Sequence, residues 1–388
     1  MSKSKKILPE LRFPEFKDSG EWEVKKIEDV LDYERPDNYI VSDTDYQKEG
    51  IPVLTANKSF ILGYTHEGFG IYENLPAVIF DDFTVDSKYV DFPFKVKSSA
   101  IKILTPKKED NLKFIYELIS QIKFDAREHK RYYISEYQQI KIPIPTIQEQ
   151  QRIASCLSSL DEVIEAHSKK LELLKDHKKG LMQNLFPQDG EKVPKLRFKE
   201  FENSGEWEKL KLLNISDVIM GSSPCSEFYN ENKIGLPLLQ GNADIKNKLS
   251  APRIYTTKIT KECEVGDILL SVRAPVGTVA KSLHNACIGR GMSAIRAKKL
   301  NSQEYLYQWL FSYELSWGKI AQGGTFEAVN SDDIRNLLVP IPAPPEQQKI
   351  ASCLSSLDEA IEAQAEKIEQ LKLHKKGLMQ GLFPKISD

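Results

Sequence analysis

The sequence predicts a mixed α/β (α+β) protein, with two globular domains separated by two long antiparallel coiled-coil helices in a pseudo-twofold circular repeat. Three observations carry this expectation. An internal duplication divides the chain, a 4-3 apolar spacing marks two long helices, and short β-branched runs fill the segments between them.

The duplication comes first because it fixes the order of parts. Pro9-Glu10-Leu11-Arg12-Phe13 and Ser19-Gly20-Glu21-Trp22-Glu23 recur as Pro194-Lys195-Leu196-Arg197-Phe198 and Ser204-Gly205-Glu206-Trp207-Glu208, an offset of 185. Gln148–Pro187 recurs as Pro345–Pro384 at an offset of 197, with 30 of 40 positions identical. Between these constant parts lie two diverged stretches, roughly 24–147 and 209–340, and the change of offset from 185 to 197 means that the second carries 12 more residues between the repeats. The expected division is a first domain over 1–147, a first spacer helix over 148–187, a second domain over 188–344 and a second spacer helix over 345–388. Because the short repeat follows the first helix at 194–208, its twin at 9–23 is expected beside the end of the second, near Pro384.

In the first constant segment Ile153, Leu157, Leu160, Ile164, His167, Leu171 and Leu174 alternate steps of four and three, the seam of a coiled coil. The second repeats the spacing with Ile350, Leu354, Leu357, Ile361, Gln364, Ile368 and Leu371. Thr146-Ile147-Gln148-Glu149 is a capping-box pattern, Pro344-Pro345 suits the first helical positions, and Pro187 and Pro384 should stop the helices after Leu185 and Leu382. Each narrow stripe is the natural partner of the other. In a pseudo-twofold pair His167 and Gln364 would face each other as a polar step that fixes register.

The diverged stretches read as one fold. Gly50-Ile51-Pro52-Val53-Leu54-Thr55-Ala56-Asn57 aligns with Gly235-Leu236-Pro237-Leu238-Leu239-Gln240-Gly241-Asn242, and Ser99-Ala100-Ile101-Lys102 with Ser293-Ala294-Ile295-Arg296. Runs such as 77–80, 100–104 and 267–272 are short strands punctuated by Gly, Pro and Asn, and one helix follows in each domain, near Leu112–Lys123 and Gln303–Ser316.

Composition bounds the function. A hydrophobic content of 40% and a charged content of 28% are those of a globular protein. No apolar run of about eighteen residues exists to span a membrane. The Lys-rich start has no apolar stretch behind it, so no secretory leader is expected. The five cysteines form no CxxC pair, which points to a reducing cytoplasm, buried inert thiols and no zinc. No phosphate-cradling loop, cofactor loop, Asp-Pro-Pro-aromatic motif or convincing nucleophile set is present, so neither catalysis nor a cofactor is expected. Asp86-Ser87-Lys88 is a nuclease-like fragment with no partner carboxylate in sight.

With these residues in view the chain resembles the specificity subunits of type I restriction–modification systems. The resemblance covers the whole length and rests on Pro143-Ile144-Pro145 leading to Glu149-Gln150-Gln151-Arg152-Ile153, and on Pro340-Ile341-Pro342-Ala343-Pro344-Pro345 leading to Glu346-Gln347-Gln348-Lys349-Ile350. It rests equally on the two Lys-Lys-Gly-Leu-Met-Gln runs at 178–183 and 375–380 and on the duplicated architecture. It implies two target-recognition domains reading the halves of a bipartite, asymmetric site on double-stranded DNA. It further implies helices that set the spacer and dock two DNA-adenine methyltransferase subunits, with restriction (motor-nuclease) subunits able to join. Where the second domain has Gln322-Gly323-Gly324-Thr325-Phe326, the first has Arg127-Glu128-His129-Lys130-Arg131-Tyr132-Tyr133, so one contact is not shared. A protein–protein scaffold without DNA readout, and a metal-dependent nuclease, are the rival classes.

Net charge is only −2, so DNA attraction must come from local patches. Residues 24–147 hold 17 Lys and Arg against 20 acids, and residues 209–340 hold 16 against 12, which favours the second domain for phosphate attraction. The candidate DNA-binding residues are Thr55, Asn57, Lys58, Lys95, Lys97, Arg127, Lys130 and Arg131 in the first domain. In the second they are Gln240, Asn242, Arg273, Arg290 and Arg296. Arg, Lys, Asn and Gln suit base edges, and Gly289-Arg290-Gly291 fits either a close phosphate approach or a tight turn.

Overall fold

The computed structural model describes residues 7–57, 59–317 and 329–385. They form two compact units, Met1–His167 with Lys367–Asp388, and Ser168–Glu366. The long helices Ile147–Leu185 and Pro344–Leu382 each give one half to each unit. Both stop where Pro187 and Pro384 forbid another turn, and the expected seam residues are buried or half-buried along their whole length.

In the first unit Leu31–Glu34, Ile101–Pro106, Ala77–Asp81 and Ser87–Val90 make a four-stranded antiparallel sheet in that order. A smaller sheet sets Ile51–Leu54 between Ile61–Thr65, antiparallel, and Lys95–Val96, parallel. Gly50 is required where it stands: its φ is +122° and a Cβ there would collide with the Thr65 carbonyl oxygen. The helix Leu112–Ile119 covers one face, and its buried side joins Ile153, Leu157, Leu382 and Phe383 in a single core. Each such aliphatic side chain, fully buried, contributes about 1.5–3 kcal/mol.

The second unit repeats the plan with additions. Its six-stranded sheet runs Ser216–Met220, Met292–Ala297, Ile268–Ser271, Val279–Lys281, Leu249–Ser250, Ile245–Lys246. Its second sheet again pairs Leu236–Leu239 parallel to Ala286–Ile288, and Gly235, at φ +85°, again lies too close to a carbonyl, that of Thr256, to bear a side chain.

The two units hold their helices by the same two devices. Arg12 donates two 2.7 Å bonds to the Glu149 carboxylate and a third to the Gly20 carbonyl, and Arg197 repeats this with Glu346 and Gly205. Leu11 N–H donates to the Gly381 carbonyl at 2.8 Å, and Leu196 N–H to that of Asn184 at 2.9 Å. The second device is an ionic cluster. Lys375 bridges Glu117 and Asp161 at 3.0 and 2.7 Å, with Lys113 within 3.0 Å of both. In the other unit Lys178 meets Asp358 at 2.5 Å, Gln308 links Asp358 to Glu304, and Lys281 neutralises Glu304 at 2.6 Å. Burial pulls the Lys113 ammonium down, but Glu117 and Asp161 outweigh it and raise the group; at Lys178 burial prevails over Asp358 and lowers it.

Four local expectations need correction. Ile101–Pro106 pairs with Leu31–Glu34 as Met292–Ala297 pairs with Ser216–Met220, an equivalence at offset 191, so the Ser-Ala-Ile-basic echo at offset 194 is out of structural register. The helices after the sheets are shorter, ending at Ile119 and Ser312. Glu149 does not close a capping box on Thr146, because its carboxylate is held by Arg12 and by Trp22 Nε1 at 3.3 Å. The thiols are not uniformly buried: Cys263 and Cys287 are, Cys156 and Cys353 are half-buried, and Cys225 is exposed.

Candidate nucleic-acid interface

Parallel strands leave a sheet from the same edge, and this brings the site together. In the second unit Leu239 lies beside Ile288, so Gln240–Asn242 and Gly289–Gly291 emerge side by side, tied by a 2.8 Å bond from Gly289 N–H to the Leu239 carbonyl. The hairpin after Ile268–Ser271 joins them through a 2.9 Å bond from Val272 N–H to the Gly291 carbonyl. The three segments and Ser223 enclose a cavity of about 320 Å³, lined by Gln240, Asn242, Arg273 and Arg290.

The glycines beside Arg290 serve backbone packing. A Cβ at Gly291 would collide with the Gln240 carbonyl, and one at Gly221 with the Gly289 carbonyl. Arg290 N–H donates to Ser223 Oγ at 3.1 Å. Gln240 is held twice: its N–H donates to Asp244 Oδ2 at 2.8 Å and its side-chain amide to Tyr229 Oη at 3.0 Å. Asn242 Nδ2 donates to the Pro275 carbonyl at 2.6 Å. The Arg273 and Arg290 side chains are exposed, and neither guanidinium has a hydrogen bond or ion pair among the described residues.

The first unit builds the same three-segment edge with other side chains. Lys97 N–H donates to the Leu54 carbonyl at 3.0 Å, Asp82 N–H to that of Ala100 at 2.8 Å, and Thr84 Oγ1 to Asn57 Oδ1 at 3.2 Å. Phe83 occupies the hairpin position of Arg273; His129 stacks on its ring at 4.8 Å and the Arg131 guanidinium lies 5.6 Å from it. Asn57 and Lys97 are exposed, and Arg131 is half-exposed, 3.9 Å from buried Asp82.

Of the residues singled out by sequence, Gln240, Asn242, Arg273 and Arg290 converge on one cavity, and Asn57 and Lys97 lie on the matching edge. Others do not belong there. Lys95 is fully buried, 2.8 Å from Glu67, and donates to the Phe69 carbonyl at 2.8 Å, so its charge is neutralised inside the domain. Lys102, on the neighbouring strand Ile101–Pro106, is likewise buried with Asp82. Thr55 is buried beneath the loop. Arg296 forks onto Asp267 at 2.7 and 2.8 Å and reaches Glu264, and these bonds raise its already high pKa. Lys248 and Arg253 are likewise paired, with Glu314 and Asp244. Lys130 sits between Glu136 and Glu128, which raise its pKa, and Arg127 pairs with Asp125 at 2.5 Å on the open surface. Lys58 and Gln322–Phe326 lie outside the described residues. Sequence reasoning missed Phe83, His129, Ser223 and Tyr229. Phe83 and His129 carried no signal of their own; aligning the hairpins through their strands would have flagged Phe83.

Comparison with known proteins agrees with this layout. The family model for the type I restriction modification DNA specificity domain matches residues 19–176 and again 204–373. The chain is 30% identical over 366 residues to the EcoR124I/EcoR124II specificity subunit of Escherichia coli, covering 88% of each. It is 34% identical over 253 residues to a putative MjaX specificity subunit of Methanocaldococcus jannaschii, spanning 64% of this chain and 60% of that one. Its fold is similar to the crystal structure of a type I restriction-modification S subunit from M. genitalium, with TM-score 0.67 and 15% identity over 98% of this chain and all of that one.

Proposed function

The chain belongs to the type I restriction modification DNA specificity family, and on that premise we propose that it is the non-catalytic subunit that reads a bipartite, asymmetric DNA site and positions its enzymes there. One observation carries the reading: both units present the same three-segment edge, dressed with different side chains. Two unlike readers on one scaffold suit two unlike half-sites. In the second unit Gln240, Asn242, Arg273 and Arg290 would touch DNA; in the first, Asn57, Lys97 and Arg131 would, with Arg127 and Lys130 near the phosphates.

The two long helices would pair antiparallel as the spacer, His167 and Gln364 meeting at the pseudo-twofold centre of a circular repeat. The bonds from Leu11 to Gly381 and from Leu196 to Asn184 support that closure. At about 1.5 Å per residue, a helix from Gln150 to Gln183 is about 50 Å long. Half-sites about one helical turn apart then fall within reach of the two readers. Tying two weak readings together makes the second engagement effectively intramolecular. Two adenine methyltransferase subunits would dock on this frame in the cytoplasm, and restriction subunits would complete the cleaving form.

The test is co-expression with a cognate-type modification subunit and a genome-wide map of adenine methylation. One motif with two short unlike halves and a fixed gap is expected, and exchanging residues 24–147 should change one half alone. A verified partner that yields no new methylation would reject DNA reading in favour of a protein–protein scaffold.

A further inference from the structure

We propose that the second unit reads guanine, through Arg273 and Arg290 donating into the major groove. The inference rests on the DNA-reading assignment above and sharpens it to a base.

Arg253, Lys248, Lys281 and Arg296 are each bound to a carboxylate within 3.0 Å. Arg273 and Arg290 have no such partner among the described residues, and both line the same cavity. An arginine fork matches the O6 and N7 acceptors of guanine, the commonest specific pairing in the major groove, whereas lysine acts as a point charge.

The backbone that carries both arginines is rigid. Glycine packing fixes the backbone on both sides of Arg290, and Ser223 fixes its amide. The Gln240 amide between the loops is oriented by Tyr229, and the tip of the Arg273 hairpin is held by Asn242 through Pro275.

The first unit offers a contrast. Equivalent backbone bonds, from Lys97 and Gly289 to their neighbouring strands, place Ser98 where the second unit has Arg290; Phe83 stands in the place of Arg273. Neither of these two positions carries an arginine in the first site, whose one guanidinium on that edge, Arg131, lies 3.9 Å from Asp82, so the paired-arginine reading of guanine belongs to one half of the motif only.

Methylation motifs would be mapped for the complex with its modification subunit, using wild type, R273A, R290A, R273K and R290K. The half that survives exchange of residues 24–147 belongs to the second unit. Guanine is expected there, and each alanine variant should relax one of its positions while leaving the other half intact. The lysine variants, which keep charge but lose the fork, should relax it as well. Replacing that guanine by 7-deazaguanine in a binding duplex should weaken wild-type affinity roughly tenfold or more, and weaken the matching variant no further. The proposal is overturned if that half contains no guanine. It is equally overturned if the lysine variants read like wild type, or if the alanine variants weaken all sequences alike and lower the salt slope by about one, the signature of a phosphate contact. A complex that yields no motif at all rejects the DNA-reading assignment itself.

Discussion

Removing Arg12 or Arg197 performs the same surgery on two nearly identical sites, and the structure fixes which wound is deeper. Each guanidinium makes two 2.7 Å bonds to a carboxylate that is 1% exposed. Breaking a buried pair from one side costs about 3–5 kcal/mol. Both carboxylates sit in the first turn of a 39-residue helix, whose dipole returns about 0.3–1 kcal/mol. R12A is therefore expected to cost about 2–4 kcal/mol. R197A should cost about 1 kcal/mol more, because Glu149 keeps the Trp22 indole at 3.3 Å while the Trp207 indole is buried without a partner among the described residues. Urea unfolding followed by region-resolved hydrogen exchange measures this, since each substitution falls in a different unit and the other serves as reference. The double variant R197M/E346L should recover most of the loss, because apolar replacement removes the stranded charge. Equal costs, or a larger loss from R12A, would refute the reasoning.

Four further outcomes turn on which buried group loses its partner or its room. D358A strands the buried Lys178 ammonium and should destabilise by about 2–3 kcal/mol, whereas K178M leaves a half-exposed carboxylate still bound by Gln308 and should cost about 1 kcal/mol; urea midpoints compare them. Burial lowers the Lys178 pKa and Asp358 opposes it, so D358A lowers it further; between the two lowered values the folded variant binds fewer protons than folded wild type, and its deficit should narrow as pH rises through that window. Glu67 is held below the ordinary carboxylate value of 4.5 by Lys95, so its stabilisation is complete above that value and disappears as pH falls through the depressed one; the gap between wild type and E67Q should close in acid melts. G291A drives a Cβ into the Gln240 carbonyl and should erase the second half of the methylation motif while the first half persists; an unchanged motif would show that the packing is slack.

The long helices were legible because their signal is local and repeated: seven seam positions in each, a capped start, and Pro187 or Pro384 at the stop. The strands at 51–54 and 236–239 were legible for the same reason, marked by a glycine whose geometry no other residue tolerates. Charges were legible as charges but not as contacts. Lys95 reads as a member of a surface cluster until Glu67, far away in sequence, meets it inside the domain, and Asp267 does the same to Arg296. Gln240, Arg273 and Arg290 stand on separate loops with ordinary neighbours. Their meeting follows from one parallel strand pair, a non-local contact that leaves no periodic trace.

The ionic clusters bear on whether the readers can be exchanged. In the first unit Lys113 and Glu117 travel with the diverged stretch, while Asp161 and Lys375 belong to the helices. In the second, Glu304, Gln308 and Lys281 travel, while Asp358 and Lys178 stay. A copy of 209–340 placed in the first position would set Glu304 beside Asp161, two like charges, yet it brings Lys281 as the counter-charge and leaves Lys375 in place. The reverse exchange sets Lys113 and Glu117 against Asp358 and Lys178. Each cluster remains two positive against two negative, and Asn111 or Ser302 still offers an N–H to the buried Gln150 or Gln347. A chimera carrying 209–340 in both positions should therefore fold, with stability within about 2 kcal/mol of wild type, and K281A should cost about the same in either position, because it leaves Lys375 between Asp161 and Glu304 in the one and Lys178 between Asp358 and Glu304 in the other. A loss confined to the transplanted unit would mean that the clusters do not set the match between reader and scaffold.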